Sequence, residues 1–92
     1  QQILLENDTV FLDVYATWCG PCKKIAPAFE LLADENEDAL FLKTNCSDSQ
    51  EIAHKLGVSS IPTIIAFVGG VEVDRIMGGN VDRLRSFVNL HA

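Results

Sequence analysis

An α/β domain with a mixed central sheet flanked by helices on both faces is the architecture this sequence predicts. Three observations point to it. Strand-like and helix-like periodicities alternate along the chain. The run Thr9–Ala16 is almost continuously apolar, the pattern of a central strand buried on both sides. Two later β-rich runs are separated only by Gly69 and Gly70, a hairpin signal. Parallel crossovers followed by an antiparallel hairpin imply a mixed sheet.

In chain order, residues 1–8 carry Ile3, Leu4 and Leu5 and read as a short helix remnant. Thr9–Ala16 is the first strand. From about Gly20 to Glu35 a helix is expected, because Cys22, Ile25, Ala26, Phe29, Leu32 and Ala33 fall on one apolar face. Pro21 sits in its first turn, where a missing N–H costs nothing. Pro27 lies inside and should kink it. Ala39–Asn45 alternates and reads as a second strand. Asp48 followed by Glu51 resembles a capping box, and Gly57 is placed as a C-terminal stop, so a short helix is expected over 49–56. Thr63–Val68 and Val71–Met77 are the hairpin strands. Asn80 can cap a last helix over 81–90, with Val81, Leu84, Phe87 and Val88 buried.

The 92 residues fit one domain, 1–92, with 48% apolar and 22% charged residues, an ordinary globular balance. Such a small domain buries only about 60–65% of its unfolded surface, so nearly every element must contribute to one continuous core. The longest apolar stretches, Val10–Ala16 and Ile61–Val71, are too short to span a bilayer, which excludes an integral membrane protein. Thirteen acids against seven bases give a net charge of −6, and Lys23–Lys24 is the only adjacent basic pair. Nucleic acid and anionic membranes are therefore not expected as partners. The chain begins at Gln1 rather than Met, so a fragment or processed form is expected.

Three cysteines are too few for a disulfide-stapled secreted domain. Two of them form Cys19-Gly-Pro-Cys22. Cys22 belongs to the apolar stripe of its helix and should point toward the sheet. Cys19 lies at the helix start, where it should face solvent. Their spacing makes them neighbours able to close a disulfide with little rearrangement. The expectation is thus one accessible sulfur and one guarded. The unpaired N–H groups and positive dipole end beside Cys19 favour its thiolate. A fall in its pKa from about 8.5 to about 7 would raise the thiolate fraction at pH 7 roughly 16-fold. Intrinsic nucleophilicity would drop roughly 5-fold, leaving a gain of about 3-fold, so position and access matter as much as pKa. The chemistry expected is thiol–disulfide exchange, Cys19 attacking a partner disulfide and Cys22 resolving the mixed disulfide. Two other readings stay open: half of a zinc site, for which Cys46, His54 and His91 lack ligand-like spacing, and a purely structural disulfide, which would close too small a loop to stabilise much.

The stretch DVYATWCGPCK over residues 13–23, then Ala26-Pro27, Ile61-Pro62-Thr63 and Gly78 before the last helix, together resemble the thioredoxin family over nearly the whole chain. The resemblance implies a thioredoxin fold, and protein-disulfide reductase activity on disulfide-bearing proteins. It implies recycling by a flavoprotein, NADPH-dependent thioredoxin reductase. No bound cofactor is implied beyond the redox-active Cys19–Cys22 disulfide, and no metal. The supposed fall to about 7 is a magnitude known for thioredoxin itself rather than one read from these residues. A monomer is expected, with the cytoplasm as default location.

Residue by residue, Cys19 matches the family's nucleophile and Cys22 its resolving thiol. Gly20 and Pro21 between them resemble the reducing members; isomerase-type domains usually carry His where Pro21 stands. Asp13 matches the family's buried acid. Its position amid Val10, Phe11, Leu12 and Val14 independently argues for a raised pKa and a role as proton acceptor for Cys22, with a solvated strand-end acid as the plain alternative. Lys43 matches a lysine paired with that acid's region. Trp18 resembles the shielding aromatic before the nucleophile. Pro62 matches the family's cis-proline, although only about 5–6% of X–Pro bonds in folded proteins are cis. Trp18, Ile61, Pro62 and Gly78, with Met77, would form the substrate contact patch, Ile61 offering its backbone to an extended segment.

The sequence departs from the family's pattern in places. The family's usual first strand has no counterpart before the first helix, so a domain truncated at its N-terminus, with an exposed sheet edge, is expected. Tyr15 stands where Trp or Tyr is common. Asn45-Cys46-Ser47 replaces an aspartate-rich stretch, and Cys46 has no motif partner: a small buried cysteine, or a site of regulatory oxidation. Two further functions compete: a docking module of a larger protein that uses the patch without turnover, and a disulfide isomerase or oxidase domain. An insulin-reduction assay and the dithiol's reduction potential discriminate them.

Overall fold

The structure, a computed structural model, describes residues 8–92. The helix expected over 1–8 lies, apart from Asp8, outside that range, as does the truncated first strand. Seven elements follow: β1 (Thr9–Tyr15), α1 (Gly20–Glu35), β2 (Leu40–Asn45), α2 (Gln50–Lys55), β3 (Thr63–Val68), β4 (Val71–Met77) and α3 (Val81–His91). They build one mixed sheet in the order β2-β1-β3-β4. β1 runs parallel to β2 and antiparallel to β3, and β3 pairs antiparallel with β4.

The apolar run in β1 is explained by its place between two neighbours in the sheet. Alternate side chains serve opposite faces. Phe11 joins Ile64 and Ala66 of β3 against Ile25, Phe29 and Leu32 of α1 and Leu84, Phe87 and Val88 of α3. Its ring lies 5.0 Å from that of Phe41 and 6.0 Å from that of Phe87. Leu12 and Val14 point the other way, into a second cluster with Ala16, Ile65, Cys22 and Cys46, covered by Ile52 of α2 and by Leu56 just after it. Helices therefore cover both faces, α1 and α3 on one side and α2 on the other.

Most boundaries fall within a residue of the expected ones. α1 runs through Pro27 to Glu35 and stops at Asn36, whose backbone N–H and side-chain amide both donate to the Leu32 carbonyl. Gly69 and Gly70 have φ of 61° and 83°, which suits the tight β3–β4 hairpin. Asn80 accepts from the Arg83 N–H at 3.0 Å and caps α3 as expected.

The start of α2 differs. Its N-cap is Ser49, and no side chain caps it, so the Asp48–Glu51 capping box does not form. The helix begins at Gln50, which puts Glu51 one position too early to reach back. The preceding turn is held instead by Asn45, whose side chain accepts from the Ser47 N–H at 2.9 Å. The end is as expected. Gly57, with φ 68°, follows the last turn, its N–H donating to His54 and that of Val58 to Ala53, a Schellman pair.

Candidate active site

The parallel β1–β2 pair delivers two loops to one end of the sheet, and the antiparallel β3–β4 hairpin delivers two more. Cys19 stands at their meeting point. It is the N-cap of α1, in extended conformation, and its sulfur accepts from the Cys22 N–H at 3.2 Å. The turn before it is tied down by Cys19 N–H to Ala16 C=O at 3.2 Å and by Thr17 N–H to the Ser47 hydroxyl at 2.8 Å. Cys19 and Cys22 are joined in a disulfide, with Cα atoms 5.2 Å apart.

The expected difference in access is absent from this state: Cys19 is 5% exposed and Cys22 3%. Each sulfur covers the other in the bond, and the Ile61 carbonyl lies 3.8 Å from the Cys19 sulfur. Lacking an S–H, the disulfide makes this a contact; a reduced Cys19 thiol would have a donor for that oxygen. What distinguishes the two residues is position along the helix. Cys19 stands outside the first turn, while Cys22 is inside the apolar stripe with Ile25, Phe29 and Leu32.

Asp13 is fully buried, which removes the solvated alternative. Its Oδ1 has no hydrogen-bond partner, and burial pushes its pKa from 3.8 up to about 6, with Lys43 pulling the other way. Lys43 sits opposite Asp13 in the β1–β2 register, yet no ion pair joins them among the described residues. Its ammonium instead lies 4.9 Å above the Tyr15 ring. Strand neighbours project to the same face, but the long lysine reaches outward to water while the short aspartate stays beneath α1. A cavity of about 260 Å³ lined by Asp13, Cys22, Lys23, Ala26 and Lys43 connects the acid to the inner cysteine.

The residues named for the contact patch differ in exposure. Trp18 is 71% exposed and Met77 51%, with Ile61 half-buried between them. The Ile61–Pro62 bond is cis, and the Pro62 carbonyl accepts from the Gly78 N–H at 3.0 Å, so the two loops are bonded to each other. Beside them, Trp18, Cys46, Ser47, His54, Ser60 and Ile61 line a groove of about 390 Å³. Cys46 is a free, buried cysteine packed in the same cluster as the dithiol. A β-carbon on Gly20 would meet nothing within 4 Å. Among the described residues no group of three His, Cys, Asp or Glu side chains gathers as a metal site.

Two contributors escaped the sequence reading. Gly79 packs on Pro21, the proline between the cysteines. Arg75 of β4 donates to the Leu56 and Gly57 carbonyls at 2.9 and 3.2 Å, and so holds the end of α2 from which the Ile61 loop departs. The Gly78–Gly79 doublet before a cap was a legible hint of the first. An arginine on an edge strand carried none of the second.

Residues 1–90 match the thioredoxin family model. The chain belongs to the thioredoxin family. Thioredoxin-2 of Saccharomyces cerevisiae is 48% identical over 71 residues, 77% of this chain and 68% of that protein. Thioredoxin of Echinococcus granulosus is 39% identical over 80 residues, 87% and 75% of the two chains. The solved thioredoxin of Plasmodium falciparum superposes with a TM-score of 0.92 at 32% identity, covering 99% of this chain and 89% of its own. The fold is thus the thioredoxin fold, and the Cys19–Cys22 pair is the redox-active disulfide of a thioredoxin-type oxidoreductase.

Proposed function

We propose that this thioredoxin-family chain is a protein-disulfide reductase in which Cys19 is the nucleophile and Cys22 the resolving thiol. The observation that carries the assignment is the placement of Cys19 as N-cap, its sulfur beside the Cys22 N–H and the Ile61 carbonyl and buried in the oxidised state. Helix N–H groups stabilise a thiolate there. Reduced Cys19 attacks one sulfur of a partner disulfide. The partner's S–S bond breaks, a mixed disulfide forms, and the departing thiolate takes a proton. Cys22 then loses its proton and attacks the Cys19 sulfur, releasing the second partner thiolate and closing the Cys19–Cys22 bond. Two electrons pass from the dithiol to the partner.

Asp13 is the acceptor for the Cys22 proton. Its burial, its unpartnered Oδ1 and the shared cavity support that role, and a cavity of that size admits water as the bridge. Lys43 acts on Asp13 through its field and is not a contact partner. Trp18, Ile61, Pro62, Gly78 and Met77 form the docking rim for an extended segment, Gly20 and Pro21 the turn that presents the sulfurs. A flavoprotein thioredoxin reductase returns the electrons from NADPH, the chain itself needing no bound cofactor. The working form is a monomer, in the cytoplasm by default.

A docking module would need no second thiol, and Pro21 between the cysteines favours reduction over oxidation or isomerisation. The test is a Cys22→Ser variant, which should accumulate covalent complexes with disulfide-bearing proteins through Cys19. A folded variant that traps none, with a wild type that does not reduce insulin in the presence of dithiothreitol, would remove the proposal.

A further inference from the structure

Charge is sorted along α1 against the rule for helix stability. A helix N-terminus favours acids and a C-terminus bases. α2 obeys, with Glu51 in its first turn and Lys55 in its last, and α3 carries Asp82 in its first turn, next to Arg83, and His91 in its last. α1 has no acid in its first turn and no base in its last. Lys23 and Lys24 follow Cys22, while Glu30, Asp34 and Glu35 occupy the far half, with Glu37 and Asp38 just beyond. A local rule broken beside a functional site points to selection for something other than stability.

The sorting extends to the neighbours. A shallow depression of about 330 Å³ between α1 and α3 is lined by Gly20, Pro21, Lys24, Gly79 and Asn80. Arg83 stands in the first turn of α3 and donates to the Met77 carbonyl at 3.2 Å, which holds its guanidinium at the rim. Lys43 lies on the β2 side, around the cavity it shares with Lys23. Lys23, Lys24, Lys43 and Arg83 are exposed and form no ion pair among the described residues, although the chain as a whole carries −6. Asp13, the acid that shares a cavity with Cys22, is buried beneath α1; Asp48 and Glu51 belong to the α2 side, and Asp82 and Asp74 line a depression with Arg83, Asp74 being paired with His91.

We propose that the face between α1 and α3 beside the disulfide is a docking surface for acidic polypeptide, so that the preferred substrates carry Asp or Glu next to the disulfide on that side. The inference rests on the reading of Cys19–Cys22 as an exchanging dithiol and names its substrate class. Unpaired cations on a negatively charged body attract an acidic segment to this end, and the acids at the other end of α1 repel it from the wrong approach. The effect lies in encounter rate and orientation, and salt should screen it.

The experiment uses three disulfide-cyclised peptides identical but for acidic, neutral or basic flanks, reduced by the dithiol form and followed through Trp18 fluorescence. At low salt the acidic peptide should react about 5–10-fold faster than the basic one, and the ratio should collapse toward unity at high salt. In Lys24→Glu/Arg83→Glu the ratio should invert. Equal rates for the three peptides in the wild type, or a preference unmoved by the double reversal, would overturn the docking surface while leaving the exchange reading in place. Failure to reduce any of the three would overturn both.

Discussion

Gly79 is packed onto Pro21 so closely that a β-carbon on it would lie 2.9 Å from both the Pro21 Cβ and the Pro21 carbonyl oxygen. The loop between β4 and α3 is thereby seated on the turn that joins the two cysteines. Pro21 is ringed and part of α1, so neither atom can move aside cheaply. Gly79→Ala should therefore lower stability by about 1–3 kcal/mol, the usual cost of overpacking, and slow thiol–disulfide exchange as the turn shifts. Gly20→Ala, where a β-carbon meets nothing within 4 Å, is the internal control and should leave the melting temperature nearly unchanged. Comparable melts for the two variants would refute the contact's importance.

Asp13 makes stability depend on pH in a stated direction. Between its ordinary pKa of 3.8 and its folded value of about 6, the folded chain holds a proton that the unfolded chain has lost. Stability is therefore full below about pH 4, falls as pH rises through that window, and stays lower above it. Asp13→Asn removes the titration. It should be more stable than wild type by about 2–3 kcal/mol near pH 8, with the gap closing toward pH 4, in denaturant melts across pH. The same variant should slow the Cys22 step. A gap that does not vary with pH, or turnover unchanged from about pH 6 to 9, would remove the acid from the scheme.

Arg75 binds the end of α2 and also forms a two-pronged pair with Glu72, at 2.6 and 2.7 Å, which holds the Glu72 carboxyl below its usual pKa. Arg75→Ala frees two carbonyls at the start of the loop that leads to cis-Pro62. The loss should be about 1 kcal/mol, or roughly 4–8 °C in melting temperature, because water can replace the donors. Amide exchange should quicken at Leu56–Val58, and the Glu72 pKa should rise toward its ordinary value by NMR titration. Arg75→Lys should restore the charge and not the fork. Unchanged exchange in that segment would show that β4 does not brace the loop.

The elements were legible because their signals are local. Apolar spacing in α1, the two-sided burial of β1, the glycine pair of the hairpin and the Asn80 cap each involve residues within a few positions of one another. The start of α2 was misread for the same reason: Asp48 and Glu51 have the right spacing, but the strand before them ends in an Asn45 turn that delays the helix by one residue. The shielding of Cys19 was misread because its cover comes from Ile61, which is 42 residues away, and from its own partner sulfur.

What this sequence determined by itself is the order of its elements and the pair of sulfurs at the head of a helix, since periodicity, caps and spacing act along a single stretch of chain. Tertiary structure alone decided how those sulfurs are surrounded. Strand register set Asp13 beneath α1 and left Lys43 over Tyr15. Packing between distant loops brought Gly79 to Pro21 and Arg75 to α2. Such contacts depend on closing long loops around one shared core, and no local preference encodes that closure.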